Sequence, residues 1–164
     1  MIDPRAEAWL IDLLKQPTCL VCVGNLLRHD DGVGPWIAGA VREAAAGSDV
    51  RVLDAQDVPE NFVPAVARDD CHNVVFIDAV AAAGPPGTLV FGPLADFAEA
   101  PSLSTHRLAL ALSAKVLESA GKKVLLLGIV PADLSFGEGL TPEVARVAES
   151  LRDLLRRALR SPSY

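Results

Sequence analysis

Two acidic residues and one histidine are the side chains of this sequence best suited to chemistry. Asp31 lies in the glycine-bounded segment GNLLRHDDGVG (24–34), Asp78 ends the apolar run VVFID, and His106 precedes an apolar helical pattern. Two carboxylates and an imidazole can bind a divalent metal ion and leave a coordination position for water or substrate. They can equally act without a metal, as a paired acid and base. The set therefore predicts either metal binding or acid–base catalysis.

Each of these residues also has an interpretation without catalysis. Asp30 and Asp31 come just before a predicted helix, so one of them could be its N-cap and leave the other to point into a cleft. The carboxylate of Asp78, at the end of an apolar strand, could be satisfied by loop N–H groups alone. His106 could simply open a helix for which Ser104 or Thr105 is a cap. A functional role for Asp31, Asp78 and His106 is favoured only if the fold brings the three side chains together.

The segment 24–34 first suggests a phosphate-binding loop, but it lacks both the GxGxxG order and the Lys-Ser/Thr pair of such loops. Its glycines are better explained by tight turns and by close approach of the backbone to a bulky partner. His29 lies in this segment, near the predicted cleft, and could assist the chemistry. His72 precedes a strand at the opposite end and is expected at the surface.

Apolar runs of strand length alternate with helical patterns along the chain, which predicts an α/β fold. Runs such as VVFID and VLLLGIV are apolar on both faces, as in parallel strands covered by helices on both sides. The turn GPPG at residues 84–87 is too short for a helical crossover and indicates one antiparallel pair. We therefore predict a three-layer α/β fold: a twisted, mostly parallel, five-stranded mixed sheet with helices on both faces. The predicted strands cover residues 18–23, 50–54, 73–78, 88–91 and 123–129.

Helical periodicity predicts four helices after an amphipathic N-terminal helix of about residues 3–16. Thr141 followed by Pro142 is typical of a helix start, and Gly121 of a helix end. Residues 93–104 form the longest irregular stretch, which makes them a candidate lid or substrate contact. The four predicted helices cover residues 34–46, 59–67, 106–120 and 141–160.

The predicted fold places the three candidate residues at comparable positions. In open α/β sheets, ligands bind beyond the carboxyl ends of the strands. Asp31 follows the first predicted strand, Asp78 ends the third, and His106 follows the fourth, beyond the long irregular stretch. We therefore expect residues that are remote in sequence to converge at one rim of the sheet.

Length, composition and charge indicate a globular protein and exclude several other classes. A length of 164 residues, with 51% hydrophobic and 22% charged residues, fits a single globular domain over residues 1–164. The net charge is −6, and acidic and basic residues are interspersed along the chain, so nucleic acid is not expected as a partner. The one basic cluster (Arg156, Arg157 and Arg160) fits the C-terminal end of the last helix. Neither a membrane span nor a signal peptide is recognised, so we expect a cytoplasmic protein.

The three cysteines do not predict a disulfide framework, because their number is odd. Cys19 and Cys22 form a CxxC motif, but they lie in a predicted strand, where residues three apart face opposite sides. We expect these cysteines, like Cys71, to be structural.

The segment GNLLRHDDGVG resembles the N-terminal signature of hydrogenase maturation endopeptidases. Its Asp-Asp pair is similar to that of the subgroup that processes hydrogenase 3. The resemblance extends over about residues 18–155 and continues through five further motifs in the same order. These are PENF (59–62), VVFIDAV (74–80), GPPGTL (84–89), STHRLAL (104–110) and LLGIVPADLSFGEGLTPEV (126–144).

This resemblance implies an activity and a set of residues. The family removes a C-terminal extension from the large-subunit precursor of a nickel–iron hydrogenase after nickel insertion, and is grouped with aspartic-type peptidases. Its metal-contacting residues correspond to Asp31, Asp78 and His106, with Asp31 and Asp78 as the catalytic carboxylates. No permanently bound cofactor is expected, because the nickel arrives with the substrate, and a monomer is the expected state. The expected substrate-binding residues are Gly24, Asn25, Asp30, Gly32 and Thr105.

Two other functions remain open from the sequence. A non-catalytic chaperone that checks the precursor for nickel would use the same residues to dock. A small-molecule hydrolase or nucleoside-binding enzyme would need an aromatic pocket. Aromatic residues make up only 5% of the chain, and only Trp36 and Phe62 are expected near the cleft. The sequence also leaves open whether a carboxylate or a metal activates water.

Overall fold

The computed structural model describes residues 2–97 and 106–160. Its helices agree with the prediction to within a few residues, except that the segment predicted as 59–67 divides into a 3-10 turn (Pro59–Phe62) and a short α-helix. Part of the predicted long loop forms another 3-10 turn, Leu94–Phe97, and residues 98–104 lie outside the described residues. The α-helices are α1 (Pro4–Leu13), α2 (Val33–Ala45), α3 (Val63–Arg68), α4 (Arg107–Ser119) and α5 (Pro142–Arg160).

The described strands form one five-stranded sheet in the order β2-β1-β3-β5-β4. Three of the four neighbouring pairs are parallel, and β4 is antiparallel to β5, so the predicted mixed sheet is confirmed. The turn at residues 84–87 does not join the members of the antiparallel pair, however. Both edges of β3 are already paired, with β1 and β5, so the strand after the turn passes to the outer edge of β5. The strands are β1 (Thr18–Val23), β2 (Val50–Gln56), β3 (Asn73–Ala79), β4 (Leu89–Pro93) and β5 (Lys123–Ile129).

Helices cover both faces of the sheet, as predicted. Side chains of α1, α2 and α5 pack on one face, where Leu20, Ile77 and Leu127 point. Side chains of α3 and α4 pack on the other face, against strand residues that include Val21 and Phe76. Since successive strand residues point to opposite faces, the continuous apolar runs supply both layers. Each fully buried side chain of this size contributes about 1.5–3 kcal/mol relative to exposure.

The N-terminal helix α1 is part of this core. Asp3 caps it by accepting a 2.8 Å hydrogen bond from the backbone N–H of Arg5, and its apolar face, with Leu10, is buried. Trp9 meets Phe91 of the edge strand β4, with ring centroids 5.1 Å apart. The role of α1 in the fold is therefore to complete the helical cover of one sheet face next to β4.

The cysteines confirm the expected separation of the CxxC pair. Cys22 packs on the sheet face covered by α2, and Cys19 packs on the opposite face. Both are buried free thiols, and burial raises the pKa of the Cys22 thiol to about 12. These two thiols therefore do not form a joint metal site.

The strand order reverses between β1 and β3. The chain leaves β1 through α2 on one face and reaches β3 through α3 on the other, so a crevice opens at the carboxyl ends of these two neighbouring strands. Gly34, in the first turn of α2, lets the helix begin directly against the strand ends. A Cβ there would lie 2.3 Å from the carbonyl oxygen of Val23 and 2.8 Å from that of Ile77.

Substituting Gly34 by alanine should therefore destabilise the protein by about 2–4 kcal/mol, because rigid backbone occupies the space of the new methyl group. Gly39 of the same helix is a matched control, since a Cβ there meets nothing within 4 Å. Gly39→Ala should stabilise by ~0.5–1 kcal/mol through helix propensity. Urea unfolding of both variants measures the difference, and equal effects at the two positions would contradict this packing of α2.

Candidate active site

Asp31, Asp78 and His106 converge as predicted, at the carboxyl-end rim of the sheet. One ligand atom of each lies within 4.8 Å of those of the other two. Asp31 belongs to the 3-10 turn His29–Gly32 after β1, Asp78 is the penultimate residue of β3, and His106 immediately precedes α4. The two acids thus come from the neighbouring strands at which the strand order reverses.

His106 and Asp78 form a pair within this cluster. The Nδ1 atom of His106 lies 3.3 Å from Oδ2 of Asp78, and the exposed fractions of the two side chains are 10% and 0%. A carboxylate at this distance fixes the orientation of the imidazole ring. The imidazole of His106 is therefore held by the buried carboxylate of Asp78, and His106 also lines the crevice.

Charge around His106 changes its proton affinity. Burial lowers the pKa of His106, but the hydrogen bond to Asp78 and the negative charges of Asp78, Asp31 and Asp57 outweigh burial, and the pKa is raised. The cluster therefore favours a positive charge, whether a proton on the imidazole or a metal cation.

The position of Asp31 is set by the backbone that precedes it. The N–H of Asn25 donates a 3.0 Å hydrogen bond to Oδ2 of Asp31, and Oδ1 of Asn25 accepts one from the N–H of Leu27 at 2.9 Å. A Cβ at Gly24 would lie 1.8 Å from the carbonyl oxygen of Asp31, and one at Gly32 would also clash with the loop. These two glycines are thus required by the tight folding of the loop, as predicted. The contact with substrate predicted for Gly24, Asn25 and Gly32 stays a prediction.

Asp30 has a different role from the substrate contact that the sequence suggested. Its side chain is fully buried, with 0% exposed. Oδ2 accepts hydrogen bonds from the N–H groups of Ala132 (2.8 Å) and Asp133 (3.0 Å), and Oδ1 from that of Thr141 (2.8 Å). The hydroxyl of Thr141 donates to the same carboxylate. Asp30 is therefore occupied in fastening residues 131–141 to the loop that carries Asp31.

The predicted helix caps need a related correction. Neither Asp30 nor Asp31 caps α2, because its N-cap is Gly32, without a side-chain hydrogen bond. Thr141 does precede Pro142 at the start of α5, as predicted, but its hydroxyl is directed to Asp30. Asp30 and Thr141 thus connect two loops through their side chains, and neither Asp30 nor Asp31 caps a helix.

The other two histidines lie outside the cluster. The backbone N–H of His29 donates to the carbonyl of Gly137 (2.8 Å), and its Nδ1 lies 3.0 Å from the carbonyl of Gly139. His29 therefore fastens the same segment as Asp30. His72 is exposed, as predicted, and Thr105 lies outside the described residues.

A second group of ligand-type side chains was not expected from the sequence. Cys19, Asp69 and Cys71 have ligand atoms within 4.8 Å of one another. Arg51 lies 2.5 Å from the Asp69 carboxylate, and Lys122 donates to the carbonyl of Cys71 at 2.7 Å. Two positively charged side chains this close disfavour the binding of a metal cation. Burial also raises the pKa of the Cys19 thiol far above its ordinary value, which disfavours the thiolate that a metal would need. This group therefore fits a structural role. The sequence could have indicated it only if the pairing of β1 with β3 had been known.

A cleft of about 670 Å³ adjoins the cluster, and His106 is part of its lining. Asp57 and Glu60 line it on the side of the turn Pro59–Phe62, and α4 forms the other wall. The three clustered side chains offer two carboxylates and one imidazole, a donor set that can bind a divalent metal ion. The rim thus combines a place for a cation with room for a polypeptide segment.

Comparison with known sequences points to one family. The family model described as "HycI: Hydrogenase maturation protease" matches residues 38–158, which include Asp78 and His106. The chain is similar to the Hydrogenase 3 maturation protease of Escherichia coli K12, with 30% identity over 132 residues (80% of this chain and 84% of that protein). It is also similar to the Hydrogenase 2 maturation protease of that organism, with 31% identity over 147 residues (84% and 87%).

Solved structures agree with this result. The crystal structure of the [NiFe] hydrogenase maturation protease HycI from Thermococcus kodakarensis has the same fold, with a TM-score of 0.78 and 24% identity, covering 93% of this chain and 99% of that one. The solution structure of the endopeptidase HycI from Escherichia coli gives a TM-score of 0.73 and 27% identity, covering 85% and 89%.

We predict that the imidazole of His106 titrates above its ordinary value of 6.5 and that Asp78→Asn lowers the midpoint, because burial then acts without its main opposing partner. Since the folded state binds this proton more tightly, the associated stability is fully present below the ordinary value and is lost as pH rises through the raised one. NMR titration of the metal-free wild type and of the metal-free variant measures the two midpoints. A wild-type midpoint below 6.5 would contradict the geometry of the pair.

Asp30→Asn should destabilise the protein by about 2–4 kcal/mol, since the amide can accept only part of the hydrogen bonds that the buried carboxylate accepts. Asp133→Asn is the control, because the hydrogen bonds described for the Asp133 carboxylate all come from the neighbouring Ser135 in an exposed turn. Its expected loss is below ~1 kcal/mol. Chemical denaturation measures both, and a neutral Asp30→Asn would refute the fastening role.

Proposed function

Because this chain belongs to the hydrogenase maturation protease family, we propose that Asp31, Asp78 and His106 are the site at which it cleaves a hydrogenase precursor. The chain is an endopeptidase of hydrogenase maturation that removes a C-terminal extension from the large subunit of a nickel–iron hydrogenase. The observation that carries the assignment of the site is the convergence of three remote side chains within 4.8 Å. None of the described helices has the length and apolar character needed to cross a membrane. A cytoplasmic monomer is part of the proposal.

Nickel enters this proposal as part of the substrate. The three protein ligands leave coordination positions for groups that the precursor contributes. The raised pKa of His106 supports the same assignment, because it reports a negative field that also attracts a metal cation. Nickel that the precursor already carries would therefore place the adjacent peptide bond at the rim.

The carboxylates supply the chemistry in this scheme. Asp31 or Asp78 accepts a proton from a water molecule, the water oxygen attacks the scissile carbonyl carbon, and the C–N bond breaks as the leaving nitrogen takes up a proton. None of the three cysteines belongs to the cluster, and all are buried. Hydrolysis by an activated water, as in aspartic-type peptidases, therefore fits these residues better than a covalent thiol intermediate.

Two alternative functions find less support. A nucleoside-binding enzyme would need aromatic stacking groups, and the lining residues described for the cleft at His106 include none. A chaperone that only checks for nickel would use the same three ligands. Relatives named as proteases and endopeptidases favour catalysis over this alternative.

We expect Asp31→Asn, Asp78→Asn and His106→Ala each to reduce cleavage of a nickel-loaded large-subunit precursor by about 10²–10⁴-fold, because each removes an acid–base group or a ligand. Mass spectrometry of the precursor, incubated with purified protein, measures the loss of the C-terminal peptide. Asp12→Asn is the control, since this acid is highly exposed on α1. Circular dichroism verifies that each variant is folded.

Unimpaired cleavage by any one variant would remove that residue from the site. A wild-type protein that binds the loaded precursor without changing its mass would support the chaperone instead.

A further inference from the structure

Helix α4 carries an apolar ridge that the rest of the described chain leaves exposed. Leu108, Leu112 and Val116 follow one another at intervals of four residues, so they lie on one side of the helix. Their exposed fractions are 73%, 56% and 52%, whereas Leu110 and Leu117 on the opposite side are buried in the core. Contiguous exposed apolar surface of this kind marks an interaction site.

The ridge forms one wall of the cleft of about 670 Å³ described above. Val63 and Pro64 lie on the opposite side, and His106 lines the same cleft. The ridge is therefore continuous with the catalytic cluster and does not lie on a remote surface. From Leu108 to Val116 the helix advances about 12 Å, a length that roughly four residues of extended peptide would span.

Acidic side chains line the cleft beside His106. Asp57 and Glu60 line it, and no lysine or arginine occurs among its described lining residues. Asp57 is close enough to His106 to contribute to its raised pKa. A segment bound there would therefore be favoured by apolar side chains along the ridge and by a positive charge near the acids.

We propose that this cleft, between α4 and residues 57–64, binds the stretch of the large-subunit precursor next to the scissile bond, and that this stretch is apolar with at least one positive charge. The inference rests on the proposed function, because the occupant must reach His106 while it lies on the ridge. A second copy of the chain seated there would cover the catalytic residues, which disfavours self-association as the use of this surface.

The double variant Leu108→Ser/Leu112→Ser tests the apolar part. We expect KM for the nickel-loaded precursor to rise by about tenfold or more with kcat little changed, since contacts made equally in the ground and transition states affect KM. Ile11→Ser on α1 is the control for loss of a partly exposed apolar side chain, and its KM should equal that of the wild type. Both leucines are exposed, so the variant should stay folded, with only the small loss of stability that serine causes within a helix.

Charge reversal tests the acidic part. Glu60→Lys should raise KM several-fold at low salt, with a smaller effect at high salt, because screening weakens the lost attraction. Glu118→Lys is the matched control, since this exposed acid lies on α4 but outside the cleft. It should leave KM and its salt dependence unchanged.

Wild-type cleavage tests the proposed function independently of the cleft. If the wild type cleaves the precursor and the double variant keeps its KM, the cleft proposal is overturned while the function stands. Sedimentation of the same proteins tests the other occupant. A wild-type dimer that the double variant converts into a monomer would assign the ridge to self-association and would also overturn the proposal.

Discussion

Two carboxylates buried side by side repel each other, and the surrounding backbone holds Asp31 and Asp78 together against that repulsion. At a separation of no more than 4.8 Å, two unit charges would repel by at least about 3 kcal/mol for an effective dielectric constant of about 20. The parallel pairing of β1 with β3 imposes the approach, the N–H of Asn25 stabilises one acid, and His106 stabilises the other. Strand pairing and these hydrogen bonds thus hold the two acids together, and a bound cation would reduce the repulsion between them.

Adjacent residues of one short turn serve opposite purposes. In the 3-10 turn His29–Gly32, successive side chains diverge by roughly 120°. Asp31 is thereby directed to the cluster with Asp78 and His106, while Asp30 is directed to the N–H groups of residues 131–141. The loop after β5 is consequently fastened to the loop after β1. This connection makes the position of Asp31 depend on a segment about a hundred residues further along the chain.

This division explains what the sequence could and could not predict. Strands β1 and β5 were predictable to the residue because apolar runs buried on both faces are a local property. Convergence of Asp31 and Asp78 followed from the general position of sites in open sheets. The role of Asp30 and the pairing of β4 were not predictable, since both depend on partners distant in sequence. An acid that serves loops and an acid that serves catalysis look alike in a motif of two consecutive aspartates.

The donor set also bears on the order of maturation. The negative field that raises the pKa of His106 would, under the proposed function, also attract the metal, so proton and metal would compete for the same field. Two oxygens and one nitrogen bind a divalent ion less firmly than a site with thiolates, and they leave positions open. Under the proposed function, a metal that brings further ligands from the precursor would complete the coordination and place a divalent charge beside Asp31 and Asp78. Under the proposed function, electrostatic attraction to these acids would therefore favour a precursor into which the metal has been inserted.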